Sequence, residues 1–320
     1  IKFKKQHQTN KTNMKYLKLI RYQNLLMLAF MQLVFRYLFL KQSYVDLALT
    51  DFNYILLIFA TVCIAAGGYV INNIMDQDTD EIAKPQNRVV GVSISETVAY
   101  NWYIGLTIVG VGIGFYLSNV IYKPTFASMF ILVATLLYMY ATSFKQIPVL
   151  GNVVVALMLS TSIIIIGLFD ILPAIDVDNR FRMKEAFDIL MHYAIFAFII
   201  NLIREIVKDL EDMDGDYQSG INTLPITIGI QKTKIIVGVL TVISIGILAY
   251  YVNSNLFELD YVVYYAMVLI VGPLIYFGVK LINATAKKEF HHLSLVLKII
   301  LFFGILSIAV IVFNLKLTNA

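Results

Sequence analysis

Two acidic groups, far apart in the chain, have the spacing needed to act on a phosphorylated substrate. The first lies in Asn72-Asn73-Ile74-Met75-Asp76-Gln77-Asp78-Thr79-Asp80. On a helix, Asn72, Asp76 and Asp80 stand at i, i+4 and i+8 and share one face. The second lies in Arg204-Glu205-Ile206-Val207-Lys208-Asp209-Leu210-Glu211-Asp212-Met213-Asp214-Gly215-Asp216, where Asp212 and Asp216 repeat the four-residue spacing and Asp209 precedes Asp212 by one turn. Like charges so placed repel one another, and a bound cation removes that penalty. Carboxylate and amide oxygens suit Mg²⁺, which is typically held by one or two carboxylates together with substrate phosphates and water. Lys84 and Arg88 follow the first group, and Arg204 and Lys208 flank the second; all four are cationic partners for phosphate oxygens. Two such groups on one side of a protein can hold two Mg²⁺ ions that bridge a diphosphate and stabilise it as a leaving group.

Plainer readings compete. An acidic run at a helix end is most often a solvated face, but two on the same side, each with Lys and Arg nearby, weaken that reading. A calcium loop fails on register: with Gly215 at the sixth position, the first would be Leu210 rather than Asp. Gly110, Gly112 and Gly114 imitate part of a dinucleotide fingerprint but lie within an apolar run with no preceding strand, so close helix packing explains them better. His192, alone in an apolar stretch, reads as a packed side chain.

The elements that position these residues are membrane helices. The chain has 320 residues, 59% apolar and 14% charged, against about 25% charged in soluble domains, and a mean hydropathy of +0.77. Nine apolar segments, near 22–40, 54–75, 97–118, 125–143, 149–169, 186–207, 233–252, 261–282 and 293–314, approach the roughly 20 residues that cross a bilayer core. In lipid the backbone must bond internally, so these segments are helices. The expected class is an all-α polytopic membrane protein with nine transmembrane helices. The first 20 residues read as a basic arm, with no clear cleavable signal, and 21–316 as a single transmembrane domain. Cys63 is the only cysteine, which excludes an intrachain disulfide and a cysteine-based metal site.

Placing the N-terminus inside puts 18 of the 25 Lys and Arg residues on the cytoplasmic side and seven on the other, as the positive-inside rule requires. The net charge of +4 then reflects membrane orientation rather than nucleic-acid binding. Both acidic groups fall in cytoplasmic loops, about 76–96 and 208–232. Gly215 and Gly220 are expected to mark where helix gives way to loop in the second.

Taken together these residues resemble the UbiA superfamily of intramembrane prenyltransferases. Its first motif, N-D-x-x-D-x-x-x-D, is similar to Asn72, Asp76 and Asp80, with Asn73 in place of the first Asp. Its second, D-x-x-x-D, is similar to Asp212 and Asp216. A third, Y-x-x-x-x-K-x-x-P-x-x-G-N, matches Tyr140, Lys145, Pro148, Gly151 and Asn152, and an R-P-x-N element at the first helix is partly matched by Arg21-Tyr22-Gln23-Asn24. The resemblance covers about 20–315 and implies a UbiA-like helical bundle. Within the superfamily, the stretch 204–216 looks most like digeranylgeranylglyceryl phosphate synthases, while Thr-Leu-Pro-x-x-x-Gly at 223–229 is shared with a wider group that also includes homogentisate prenyltransferases and chlorophyll synthases.

The resemblance implies Mg²⁺-dependent transfer of a prenyl group, geranylgeranyl in the favoured reading, from its diphosphate to a hydrophobic or amphiphilic acceptor at the cytoplasmic face of a cell (inner) membrane. Asn72, Asp76 and Asp80 would bind one Mg²⁺, and Asp212 and Asp216 the other. Lys145 and Arg88 would neutralise diphosphate oxygens, with Lys84 nearby, and Tyr140 would donate a hydrogen bond. Asn24 would belong to the substrate site. Arg204 and Lys208 would either add charge there or pair with neighbouring acids, and Asp209 is a candidate acceptor for the substrate's proton. Aromatic side chains between the helices would favour a developing allylic cation. The favoured acceptor is a lipid precursor such as geranylgeranylglyceryl phosphate. The alternatives are an aromatic acceptor of quinone biosynthesis and, more remotely, a non-catalytic transporter, which midplane acids and inverted repeats would favour. Asn73→Asp is expected to be tolerated, because an amide oxygen and a carboxylate both coordinate metal.

Overall fold

A computed structural model describes residues 14–43, 45–83 and 88–318; Lys84 and residues 1–13 of the basic arm lie outside them. Among the described residues, nine helices are long and apolar enough to cross a membrane: α1 (Tyr22–Gln42), α2 (Asp51–Met75), α3 (Glu96–Val120), α4 (Pro124–Thr142), α5 (Leu150–Ala174), α6 (Arg180–Gln218), α7 (Ile230–Asn255), α8 (Asp260–Asn283) and α9 (Lys287–Leu317). The polar residues between the apolar runs start these helices. Thr50 caps α2 by accepting from the Asn53 amide, and Ser95 caps α3 by accepting from that of Val98. Pro124 opens α4, where its missing N–H costs no helical bond. Glu289 accepts from the Thr285 and Ala286 amides at 2.7 and 2.8 Å and so satisfies donors ahead of α9.

By internal contacts the chain forms two compact units. The first comprises the chain up to Ala29, Leu49–Lys145 and Asp214–Ile221. Here α2 packs against α3 and α4. A methyl group on Gly110 would stand 2.6 Å from Ile64 Cγ1 and 3.0 Å from the Ala60 carbonyl oxygen. Gly110, and Gly114 against the Phe130 ring, are therefore helix-packing positions as in the plainer reading, whereas Gly112 faces open space. At the end of α2 that carries Asp76, a small core gathers Leu19, Val70, Ile71, Ile74, Val89, Val90, Ile94, Ala99 and Ala141. It holds a turn of helix at 14–19 and the segment after Arg88 around that end.

The second unit comprises Phe30–Ala48, Gln146–Met213 and Asn222–Ala320. Its main core draws Ile200, Ile203, Ile206, Val207 and Leu210 from α6 against Phe277 and Leu281 of α8 and Phe290, Leu293, Leu297 and Ile300 of α9. His192 packs against the ring of Tyr251, with centroids 4.7 Å apart. The helices α1 and α5 open into π-turns at Phe35–Phe39 and Gly167–Ile171. Each of these turns carries one member of an ion pair, Arg36 with Asp170, whose side chains are 2% and 0% exposed.

Two sequence expectations change. The helix α6 does not stop near 207 but runs to Gln218, so much of the expected second loop is helical. Gly215 lies inside it. Only Gly220 ends it: with φ +71, it follows a terminus in which the Ile221 amide donates to the Asp216 carbonyl and the Gly220 amide to that of Tyr217, the paired bonds of a Schellman cap. At about 1.5 Å per residue, α6 is close to 60 Å long, twice the roughly 30 Å of a hydrocarbon core. Its acids therefore stand on a rigid helical extension. The first expected loop is also partly helical, with a short helix at Gln77–Ala83.

Candidate metal and phosphate sites

In the first unit, α2 ends at Met75 and Asp76 is its C-cap, with φ −87 and ψ 5. The helical hydrogen bonds nevertheless continue through the break: the Asp76 amide donates to the Asn72 carbonyl at 2.9 Å, and that of Asp80 to the Asp76 carbonyl at 2.8 Å. Asn72 and Asp76 stay one turn apart as expected, and Asp80 follows one turn later. The Asn72 amide nitrogen donates to Asp76 Oδ2 at 2.7 Å. Lys145, on the short turn Phe144–Gln146 after α4, donates from Nζ to Asp76 Oδ1 at 2.6 Å. The Asp76 side chain is only 12% exposed, and a carboxylate so placed requires the cation. Asn72 Oδ1 is buried and lacks a hydrogen-bond partner among the described residues. An orphaned buried amide oxygen is costly unless something coordinates it.

Arg88 is held by partners close in sequence. Its guanidinium pairs with Glu81 and its Nε donates to the Val90 carbonyl. Asn24 stands in the first turn of α1 and Tyr140 near the end of α4, both half-buried. Asn73, at the position of the motif's first Asp, donates its amide to the carbonyls of Tyr69 at 2.7 Å and Leu19 at 3.2 Å.

In the second unit, Arg204, Lys208 and Asp212 succeed one another at four-residue intervals along α6, with Glu205 and Asp209 beside them. Glu205 is buried and accepts from both Arg204, at 3.1 Å, and Lys208, at 2.9 Å. Both cations thus have an acid partner on their own helix. Asn152 donates to Asp209 Oδ2 at 2.8 Å. From α9, His291 meets Glu211 at 2.9 Å and Lys287 approaches Asp212 at 3.7 Å. Asp216 lies one turn beyond Asp212, in the final turn of the same helix. Sequence reasoning gave no site role to Asn152, although it stands in the third motif, nor to Glu205, nor to Lys287 and His291, whose partners emerge only when α6 and α9 are packed.

Among the described residues, no three Asp, Glu, His or Cys side chains are grouped to hold a metal ion by themselves. The donor set at Asp76 still fits Mg²⁺, which ordinarily takes few protein oxygens and completes its shell with phosphate and water. One carboxylate beside an unsatisfied amide oxygen is such a set.

The description of the UbiA prenyltransferase family matches residues 34–303. Over 246 residues, 76% of this chain and 80% of the relative, the chain is 32% identical to a digeranylgeranylglyceryl phosphate synthase of Saccharolobus solfataricus. Its fold is similar to that of a solved digeranylgeranylglyceryl phosphate synthase, with TM-score 0.64 at 22% identity over 94% of this chain and 99% of that one. It is also similar to a UbiA homologue from Archaeoglobus fulgidus bound to GPP and Mg²⁺, with TM-score 0.59 at 15% identity over 92% and 99% of the two chains. The nine helices, the motif residues at their ends and this match along most of its length make the chain a member of the UbiA prenyltransferase family, an integral membrane enzyme that transfers prenyl groups.

Proposed function

We propose that this prenyltransferase moves a geranylgeranyl group from its diphosphate to the free hydroxyl of geranylgeranylglyceryl phosphate and releases diphosphate. The observation that carries this reading is the 32% identity to the Saccharolobus solfataricus digeranylgeranylglyceryl phosphate synthase. Family membership displaces the transporter alternative, and this relative's activity favours a glyceryl phosphate over an aromatic acceptor.

Asn72, Asp76 and Asp80 are assigned to one Mg²⁺, and Asp212 and Asp216 to a second. When bound, the metal offsets phosphate charge and makes the diphosphate a better leaving group. Lys145, now on Asp76, would turn to a phosphate oxygen once the carboxylate has another cation. Tyr140 would donate to the same phosphates. Arg88, Lys84 and Asn24 remain assigned to the substrate, with Arg88 exchanging Glu81 for phosphate. Asp209, oriented by Asn152, would accept the proton of the attacking hydroxyl. Apolar helices would keep water from the reacting carbon, where it would otherwise intercept the developing cation. The excess of Lys and Arg on one side supports a cytoplasmic N-terminus and a site on the cytoplasmic face of the cell membrane.

The test is mass spectrometry of products from the full chain in nanodiscs with Mg²⁺ and geranylgeranyl diphosphate, offered geranylgeranylglyceryl phosphate or aromatic acceptors. The expected product is the doubly alkylated glyceryl phosphate. Alkylation of an aromatic acceptor alone would overturn the assignment.

A further inference from the structure

Lys298 has no part in the chemistry described so far. It lies well inside α9, about 16 Å beyond Lys287 along the axis at 1.5 Å per residue, and is half-buried. The helices α6 and α9 run antiparallel in constant register. The Tyr193 hydroxyl meets Ser307 Oγ at 2.6 Å, Glu211 meets His291 at 2.9 Å and Asp212 approaches Lys287 at 3.7 Å. Between these contacts the same register sets Arg204 opposite Lys298, and the two cations interact unfavourably. No ion pair to an acid holds Lys298 among the described residues, whereas Arg204 and Lys208 share the single carboxylate of Glu205. Arg204 Nε is buried with no hydrogen-bond partner among them.

Two cations thus share one carboxylate, and a third lies opposite Arg204. Surplus positive charge at the edge of the hydrocarbon is costly and marks a functional site unless it is compensated. The residues that could hold metal lie farther along α6: Asp212 is about 12 Å beyond Arg204 at 1.5 Å per residue. The helix therefore separates a cationic stretch from an acidic end. The acidic end suits a metal-bound diphosphate. The cationic stretch suits an anion without metal, and a guanidinium with an unused N–H beside two ammonium groups matches the oxygens of a phosphomonoester.

We infer that Arg204, Lys208 and Lys298 form a binding site for the phosphomonoester of the acceptor lipid, separate from the diphosphate site. This rests on the proposed glyceryl phosphate acceptor and adds the residues that would select it.

The experiment uses the full chain in nanodiscs of neutral lipid, saturating geranylgeranyl diphosphate, and either geranylgeranylglyceryl phosphate or dephosphorylated geranylgeranylglycerol. Lys298→Gln should raise KM for the phosphorylated acceptor about tenfold, the scale of one charge-assisted hydrogen bond. It should leave KM for the donor and turnover of the dephosphorylated acceptor within about twofold. Lys298→Arg should restore the preference. Lys208→Gln should shift it in the same direction and serves if Lys298→Gln does not fold. An unchanged preference in both glutamine variants, or an equal rise in donor KM, overturns the inference. So does an effect seen only in anionic-lipid nanodiscs and indifferent to the acceptor's phosphate, which would assign the site to a membrane headgroup. Wild-type protein that alkylates only aromatic acceptors removes the proposed function and this inference with it. Wild-type turnover of the glyceryl phosphate with an unaltered preference in the variants removes the inference alone.

Discussion

The ammonium of Lys145 donates to the carboxylate of Asp76 at 2.6 Å across 69 positions of sequence, while the other oxygen of that carboxylate accepts from Asn72. Both oxygens of the first motif's central acid are thus engaged by the protein's own donors, and Asn72 Oδ1 is left over. The contact ties the third motif, on the turn after α4, to the first, at the end of α2. With Mg²⁺ held by Asp76, Lys145 would be free to meet the substrate's phosphate.

Loss of this acid should cost transition-state stabilisation rather than fold. Asp76→Ala is expected to lower the rate of diphosphate release at least a hundredfold, about the effect of removing one preorganised electrostatic group, with an unchanged size-exclusion profile. Chelation of Mg²⁺ should abolish wild-type release, and added Mg²⁺ should restore it. Near wild-type turnover of folded Asp76→Ala would rule out this acid as a ligand.

Asn73→Asp now carries the opposite expectation to the one drawn from coordination chemistry alone. Its amide nitrogen donates to the Tyr69 and Leu19 carbonyls. A carboxylate would lose both bonds and face two carbonyl oxygens. The substitution should destabilise the protein by about 1–3 kcal/mol, read as a lower melting temperature in detergent. Unchanged stability would show that the contact to Leu19 contributes nothing.

Arg36 and Asp170 test the cost of a broken buried ion pair. Arg36→Met or Asp170→Leu alone should destabilise by about 3–5 kcal/mol, and the double variant should recover most of the loss, because the pair's attraction chiefly repays its own desolvation. Thermal unfolding of the three variants decides this; single and double variants of equal stability would contradict it.

Gly220→Ala should shorten the helix that carries Asp216. With φ +71, an added Cβ costs about 1 kcal/mol, although open space surrounds the position. Amide exchange at Ile221 and Gly220, whose bonds close the helix, should accelerate in the variant. Unaltered exchange would mean the cap bears no load.

The helical class and the number of spans are legible without coordinates, because lipid leaves the backbone no alternative to internal hydrogen bonding and an apolar run of sufficient length therefore declares a helix. The helix ends are not. α6 reaches Gln218 although the apolar run stops near 207, because propensity and the packing of Leu210 and its neighbours carry the helix past the point where hydropathy falls. Gly215 shows the same limit: a glycine ends a helix only where the backbone turns left-handed, and that occurs at Gly220.

The sequence by itself determined which residues are candidates for the chemistry, because metal and phosphate ligands must be acids, amides and cations at helical spacing. It did not determine their partners. That Lys145 answers Asp76, that Arg88 is held by Glu81, that Asn152 orients Asp209 and that Lys298 faces Arg204 follow only from tertiary packing. Side-chain spacing along one helix is a local property of the backbone, whereas the meeting of two helices depends on the register in which their apolar faces interlock.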